Sequence, residues 1–272
     1  GEVFYAKPMR KLVYQFAEDP TLGAEFQFGF ITNSTVYEEK WWDLIKNKRY
    51  AICDYITSVD GWDAESYTNY RGRDMFDQVL TNVDKVIKWR DDHMDTHGYF
   101  NIFINSLIMT KTYPHLKDII DLWWNRNVKL QFIPLIVHYK PDDSEQVYNI
   151  PGLREDCLIK LNEALDYINS KEITVWYQEE NRNSIIRSLT DNIEYLDNLN
   201  RFMFTEDKTE IKNRMVKQFQ ASQAGISEDK LNGMGKIRLA HYFVEIEVYD
   251  YSVSEDETIN LKDGIKDNLV TR

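Results

Sequence analysis

Cysteine is scarce in this sequence: two residues in 272, Cys53 and Cys157. Two cysteines so far apart provide neither a disulfide framework nor a zinc-site spacing. Each sits in an apolar pattern, where a free cysteine behaves as a small buried hydrophobe. Long apolar runs are lacking as well. None approaches the roughly 20 residues that span a bilayer, and the N-terminus has no charged-then-apolar leader pattern. No membrane association is expected, and a cytoplasmic address is. Positive charge is in deficit, with 33 Lys and Arg against 45 Asp and Glu and a net charge of −12. Such a chain repels phosphate backbones, so nucleic acid is not the expected partner. There is no internal repeat and no low-complexity tract.

What is present is an ordinary globular composition, 43% hydrophobic and 29% charged, on a chain long enough for one large domain or a domain with an appendage. Strand and helix patterns alternate through its first two thirds. Residues 8–18 space their apolar positions as a helix, with Pro8 suited to a first turn. Strands are expected at 25–32, 50–58, 99–109 and 129–138, and helices at 36–47, 63–70, 74–93, 114–126 and 152–169. The stretches 102–109 and 130–137 are nearly continuously apolar, as parallel strands covered by helices should be. The alternation predicts an α/β fold with a parallel sheet, either doubly wound or a barrel. In both, ligands sit at the carboxyl ends of the strands. Beyond residue 170 the rhythm stops. Two charged amphipathic helices are expected at 178–199 and 205–222, a linker at 223–236, one strand at 238–252 and a polar acidic tail.

The strand ends carry the polar residues. The strand at 25–32 runs into Thr32-Asn33-Ser34-Thr35. The strand at 50–58 runs into Ser58-Val59-Asp60-Gly61, with Arg71 thirteen residues after the serine. The strand at 99–109 passes through Asn105 and Ser106, and the strand at 129–138 contains Pro134 and ends at His138. Each has a local explanation. Thr32–Thr35 suits a helix N-cap, and Asp60 suits a turn in which it bonds its own backbone. Arg71 suits a surface ion pair, and His138 a polar cap. Pro134 lacks an amide donor and points to a bulge or an edge.

Taken together, the order Gly1-Glu2, helix, strand, Thr-Asn-Ser-Thr, helix, strand, Ser-Val-Asp-Gly, helix with Arg71, strand, helix, strand with Pro134 resembles a radical S-adenosylmethionine enzyme. It is similar above all to members with a SPASM or twitch-type C-terminal extension. The resemblance covers residues 1 to about 140. It implies a partial (β/α)6-type barrel at 1–170 that lacks its first strands, followed by a mostly helical extension at 171–272. It also implies a cofactor site. Gly1 and Glu2 would be the tail of a Gly-Gly-Glu motif at the amino group of S-adenosylmethionine. Asn33, Ser34 and Thr35 match a Thr-Asn-Gly-Thr turn in which Ser34 replaces the usual glycine. Ser58 and Asp60 would approach the ribose and carboxylate, and Arg71 would hold the carboxylate. Asn105 or Ser106 would face the ribose, and Pro134 to Ile136 would lie near the adenine.

The residue types suit that ligand. A carboxylate complements an ammonium, a guanidinium grips a carboxylate, and short polar groups meet hydroxyls. The family's reaction also needs a [4Fe-4S] cluster held by three cysteines, and this chain has no such motif. The expectation is therefore a fragment whose cluster ligands lie upstream of Gly1, or else a degenerate homologue without the chemistry. The strand at 25–32 would then be an open edge needing an upstream segment or a partner. Peptide, protein and small-molecule substrates are what the resemblance implies. Two other readings are a binding or scaffold module and a carbohydrate-active barrel, the latter prompted by 7 Trp and 17 Tyr. A glycosidase needs two carboxylates across the substrate, and only Asp60 stands clearly at a strand end. The pairs Trp41-Trp42 and Trp123-Trp124 are expected to pack against the sheet.

Overall fold

The computed structural model describes residue 4 and residues 7–19, 27–135 and 145–203. The expected features at Gly1, Glu2, Ile136, His138 and 205–252 lie outside the described residues. The elements, in chain order, are α1 (Lys7–Glu18), β1 (Phe28–Thr32), α2 (Glu39–Ile45), β2 (Ile52–Ser58), α3 (Ala64–Arg71), α4 (Phe76–Asp92), β3 (Asn101–Ile108), α5 (Leu116–Trp124), β4 (Lys129–Pro134), α6 (Pro151–Ser170) and α7 (Trp176–Met203). The chain is α/β with a four-stranded parallel sheet. No helix among the described residues is long and apolar enough to cross a membrane.

Contacts divide the chain into two compact units. One comprises residues 1–134 and 159–190, the other 135–158 and 191–272. The link between α6 and α7, where the extension was expected to begin, falls inside the first unit. In the second unit, the described part holds Tyr148 stacked on Tyr195 with ring centroids 5.9 Å apart. The Tyr148 hydroxyl donates to Asn192 at 2.7 Å.

The first unit contains the sheet. Its strand order is β1-β2-β3-β4, with every neighbour parallel. A doubly wound sheet needs a reversal of strand order, and the described strands have none. Sequential order combined with right-handed crossovers sends every connecting helix to the same face. Burial follows this rule. Phe30, Tyr55, Thr57, Ile102, Ile104, Leu130 and Phe132 are buried on one face. The alternate residues Ile56, Phe103, Asn105 and Gln131 are only partly covered, and Ile31 is 64% exposed.

The covered face packs against aromatic helices, and both tryptophan pairs are buried. Trp41 meets Phe30 edge-on at 5.2 Å, and Trp42 packs on Trp89 of α4 at 4.8 Å. Trp41 also donates its indole N–H to the Val13 carbonyl of α1, so a large apolar ring is buried with its polar handle satisfied. Pro134 is the last residue of β4, which is the edge strand among the described residues, where the missing amide costs the ladder nothing. The register irregularity lies elsewhere, between Phe28 and Gly29 on β1.

The outer edge of β4 is capped by a helix. The Leu130 amide donates to Asn181 Oδ1 at 2.8 Å, and the Leu130 carbonyl accepts from Ser184 Oγ at 3.0 Å. The Phe132 amide donates to Ser188 Oγ at 3.1 Å. Positions 181, 184 and 188 lie on one face of α7. Their short polar side chains supply the partners that a fifth strand would otherwise provide. β1 stands at the other end of the sheet and, among the described residues, pairs only with β2.

Candidate functional site

The carboxyl end of the sheet is built from two turns. After β1 the backbone enters the left-handed region at Ser34, with φ of 56°. This is the position that the resemblance assigns to glycine, and it is strained for a residue with a Cβ. The turn carries the serine side chain back beneath the sheet. Ser34 Oγ donates to Thr57 Oγ1 at 2.8 Å and lies 2.9 Å from the Tyr55 hydroxyl. Its amide donates to Thr32 Oγ1, and its carbonyl accepts from Asn82 of α4 at 2.9 Å. Ser34 is fully buried, so it holds the turn together rather than facing the surface.

Asn33 and Thr35 lie on the other side of that turn. Asn33 Oδ1 accepts from both the Thr35 amide and the Thr35 hydroxyl, at 3.1 and 2.7 Å, as an asparagine-headed turn does. Gln78 of α4 donates to the Thr35 carbonyl. The helix-cap explanation of this segment does not hold: α2 begins at Glu39, and its cap makes no side-chain hydrogen bond.

The second turn follows β2. Asp60 is buried, and its two oxygens are both engaged. Oδ1 accepts from the Leu107 amide of β3 at 2.9 Å, and Oδ2 accepts from Arg71 Nη2 at 2.5 Å. Asp60 therefore bonds the neighbouring strand rather than its own backbone and extends the β2–β3 ladder past the end of β2. Burial pushes the Asp60 carboxyl above the usual carboxylate range, against the pull of Arg71 and the Leu107 amide. Arg71 Nη2 also donates to the Ser58 carbonyl at 3.3 Å. The guanidinium thus ties the end of α3 to the end of β2.

Gly61 is required for packing. A Cβ there would sit 2.8 Å from the Tyr67 amide nitrogen and 2.9 Å from Tyr67 Cα, so the first turn of α3 can approach only a glycine. That turn is closed by a capping box between Asp63 and Ser66.

Asn33, Thr35 and Arg71 line one cleft of about 360 Å³, together with Tyr67, Arg73 and Met75. Ser58 and Asn105 are register partners on the open face of the sheet. Asn105 Oδ1 is buried there without a hydrogen-bond partner. Ser106 points the opposite way. It is fully buried on the helix-covered face, its hydroxyl also unpartnered. The structure therefore separates Asn105 from Ser106 and gathers Asn33, Thr35 and Arg71. Tyr67, Arg73 and Met75 were not singled out in the sequence. Arg73 carried a legible signal, as a second arginine just past the Gly72 that ends α3.

A second cleft, of about 250 Å³, is lined by Trp62, Asp63, Ser66, Asn69, Tyr70 and Lys111. Trp62 stacks on His115 with centroids 3.7 Å apart. Among the described residues no group of three His, Cys, Asp or Glu side chains is placed to hold a metal ion. Cys53 is half-buried on β2 and donates to the Phe28 carbonyl. Cys157 is buried in α6, and its thiol is pushed up by burial. No protein-family model, curated protein or solved structure matches the chain.

Proposed function

We propose that this chain is the S-adenosylmethionine-binding body of a radical S-adenosylmethionine enzyme, its described sheet an arc of a (β/α) barrel. The observation that carries the reading is the convergence of Asn33, Thr35 and Arg71 on one cleft, at the carboxyl end of parallel strands where α/β proteins bind ligands. Those three residues come from two separate motifs. The sequential strand order and one-sided helix cover support the arc: a sheet wound in one direction curls toward its open face.

The residues present fit the organic cofactor. The cleft offers guanidinium and amide donors for a carboxylate. Asn105 Oδ1, an acceptor buried without a donor, fits a ribose hydroxyl. The described residues do not fit an iron–sulfur cluster, since neither cysteine is grouped with other ligands. The reading for this chain is therefore binding of S-adenosylmethionine, and no bond cleavage is derived from its residues. A carbohydrate-active barrel is less well supported. Asp60, its one strand-end carboxylate, is buried and committed to Arg71 and Leu107.

Equilibrium dialysis of the chain against labelled S-adenosylmethionine tests the proposal. Saturable 1:1 binding, weakened by Asn105→Leu, is expected. No binding at millimolar ligand would overturn it.

A further inference from the structure

The resemblance gives the carboxylate-holding role to Arg71, but the geometry points elsewhere. Arg71 Nη2 is taken by the Asp60 carboxylate and the Ser58 carbonyl. Its charge is already balanced by a carboxylate whose side chain is 5% exposed. Arg73 lies two residues on, beyond Gly72, whose φ of 66° turns the chain out of α3. It lines the same cleft, is exposed, and has no ion-pair partner among the described residues. Asn33 Oδ1 is occupied by Thr35, so the group Asn33 has left to offer is its NH2. The uncommitted charged group and the uncommitted amide lining this cleft are both donors. Tyr67 and Met75 supply an apolar side. Such a cleft selects an anionic group attached to an apolar body.

We infer that Arg73, with the Asn33 amide, takes the carboxylate end of the ligand, while Arg71 is the staple that holds the β2–α3 turn in shape. The inference rests on the S-adenosylmethionine reading for the identity of the ligand, and on the cleft alone for its anionic character. A carboxylate and a phosphate share this chemistry, and the probes separate them.

The test uses the full chain and three probes: S-adenosylmethionine, 5'-methylthioadenosine, which lacks the amino-acid end, and inorganic phosphate. Each is titrated by calorimetry into the unaltered protein, Arg73→Gln and Arg71→Met. Arg73→Gln should keep the unfolding midpoint and weaken S-adenosylmethionine by roughly 10- to 100-fold, the loss of one charge-assisted hydrogen bond. It should leave methylthioadenosine unchanged. Arg71→Met should instead lower the unfolding midpoint. Unchanged S-adenosylmethionine affinity in Arg73→Gln would overturn the inference while leaving the S-adenosylmethionine reading intact. Phosphate binding that depends on Arg73, with no S-adenosylmethionine binding, would overturn that reading and uphold Arg73 as the anion-binding residue. Binding of neither anion would overturn both.

Discussion

Replacing Arg71 by methionine keeps the aliphatic stem on α3 and removes the guanidinium, leaving Asp60 buried without its counter-charge. Breaking a fully buried pair costs about 3–5 kcal/mol. Here the Arg71 side chain is 34% exposed, so water reaches part of the gap and the cost falls toward that of one charge-assisted hydrogen bond, about 2 kcal/mol. The bond from the Leu107 amide remains. The cost should depend on pH. The Asp60 carboxyl already lies above its usual range when folded. Its contribution to stability is therefore fully present below the unfolded value of about 3.9 and is lost as pH rises through the folded value. Without Arg71 the folded value rises further, so the variant loses more on going to neutral pH. Urea unfolding of both proteins at pH 4 and pH 7 should give a small difference at pH 4 and about 2 kcal/mol at pH 7. Asp60→Asn on the Arg71→Met background should recover at least about 1 kcal/mol, because a neutral amide needs no cation. A difference that is equal at both pH values, or below about 0.5 kcal/mol at pH 7, would refute the account of Arg71 as the partner of a buried charge.

The same unfolding assay checks four further expectations. Gly61→Ala forces a Cβ against Tyr67 backbone and should cost about 1–3 kcal/mol, since backbone cannot rotate away as a side chain would. Ser34→Ala keeps the left-handed strain and loses the bonds to Thr57 and Tyr55. Ser34→Gly loses the same bonds but relieves the strain, so it should be about 1 kcal/mol the more stable of the two. His97 is buried, accepts from the Ile52 amide at Nε2 and lies 3.1 Å from the Gly98 carbonyl at Nδ1. Burial holds its folded pKa below the usual value, so its contribution is present above about pH 6.5 and lost as pH falls below it, by up to about 1.4 kcal/mol per pH unit. His97→Gln should remove that increment of acid sensitivity. Ser188→Ala leaves the Phe132 amide without its acceptor and should cost about 1–3 kcal/mol.

The parts of the fold that announce themselves in sequence are those set by period and punctuation. Four parallel strands and the helices between them follow from apolar runs alternating with helical spacing. Ser-Val-Asp-Gly marks a real turn because Gly61 answers a local steric demand that only glycine meets. Partnerships are a different matter, because they depend on what lies across the fold rather than along it. Asp60 reads in sequence as a turn former or a ligand group, yet its bonds go to Leu107, 47 residues away, and to Arg71. Asn105 and Ser106 are adjacent and equally polar, and only strand phase puts one on the open face and the other under the helices.

The charged helix after residue 175 shows the limit most clearly. In sequence it reads as a charged amphipathic helix of a separate extension. However, Asn181, Ser184 and Ser188 are polar because they bond the outward-facing backbone of β4. A polar residue on a helix can face water or an orphaned amide, and composition cannot distinguish the two. A strand whose outward amides are capped by side chains has no free donors there to template a further strand. Among the described strands, β4 therefore has its outward amides at Leu130 and Phe132 already taken by side chains of α7.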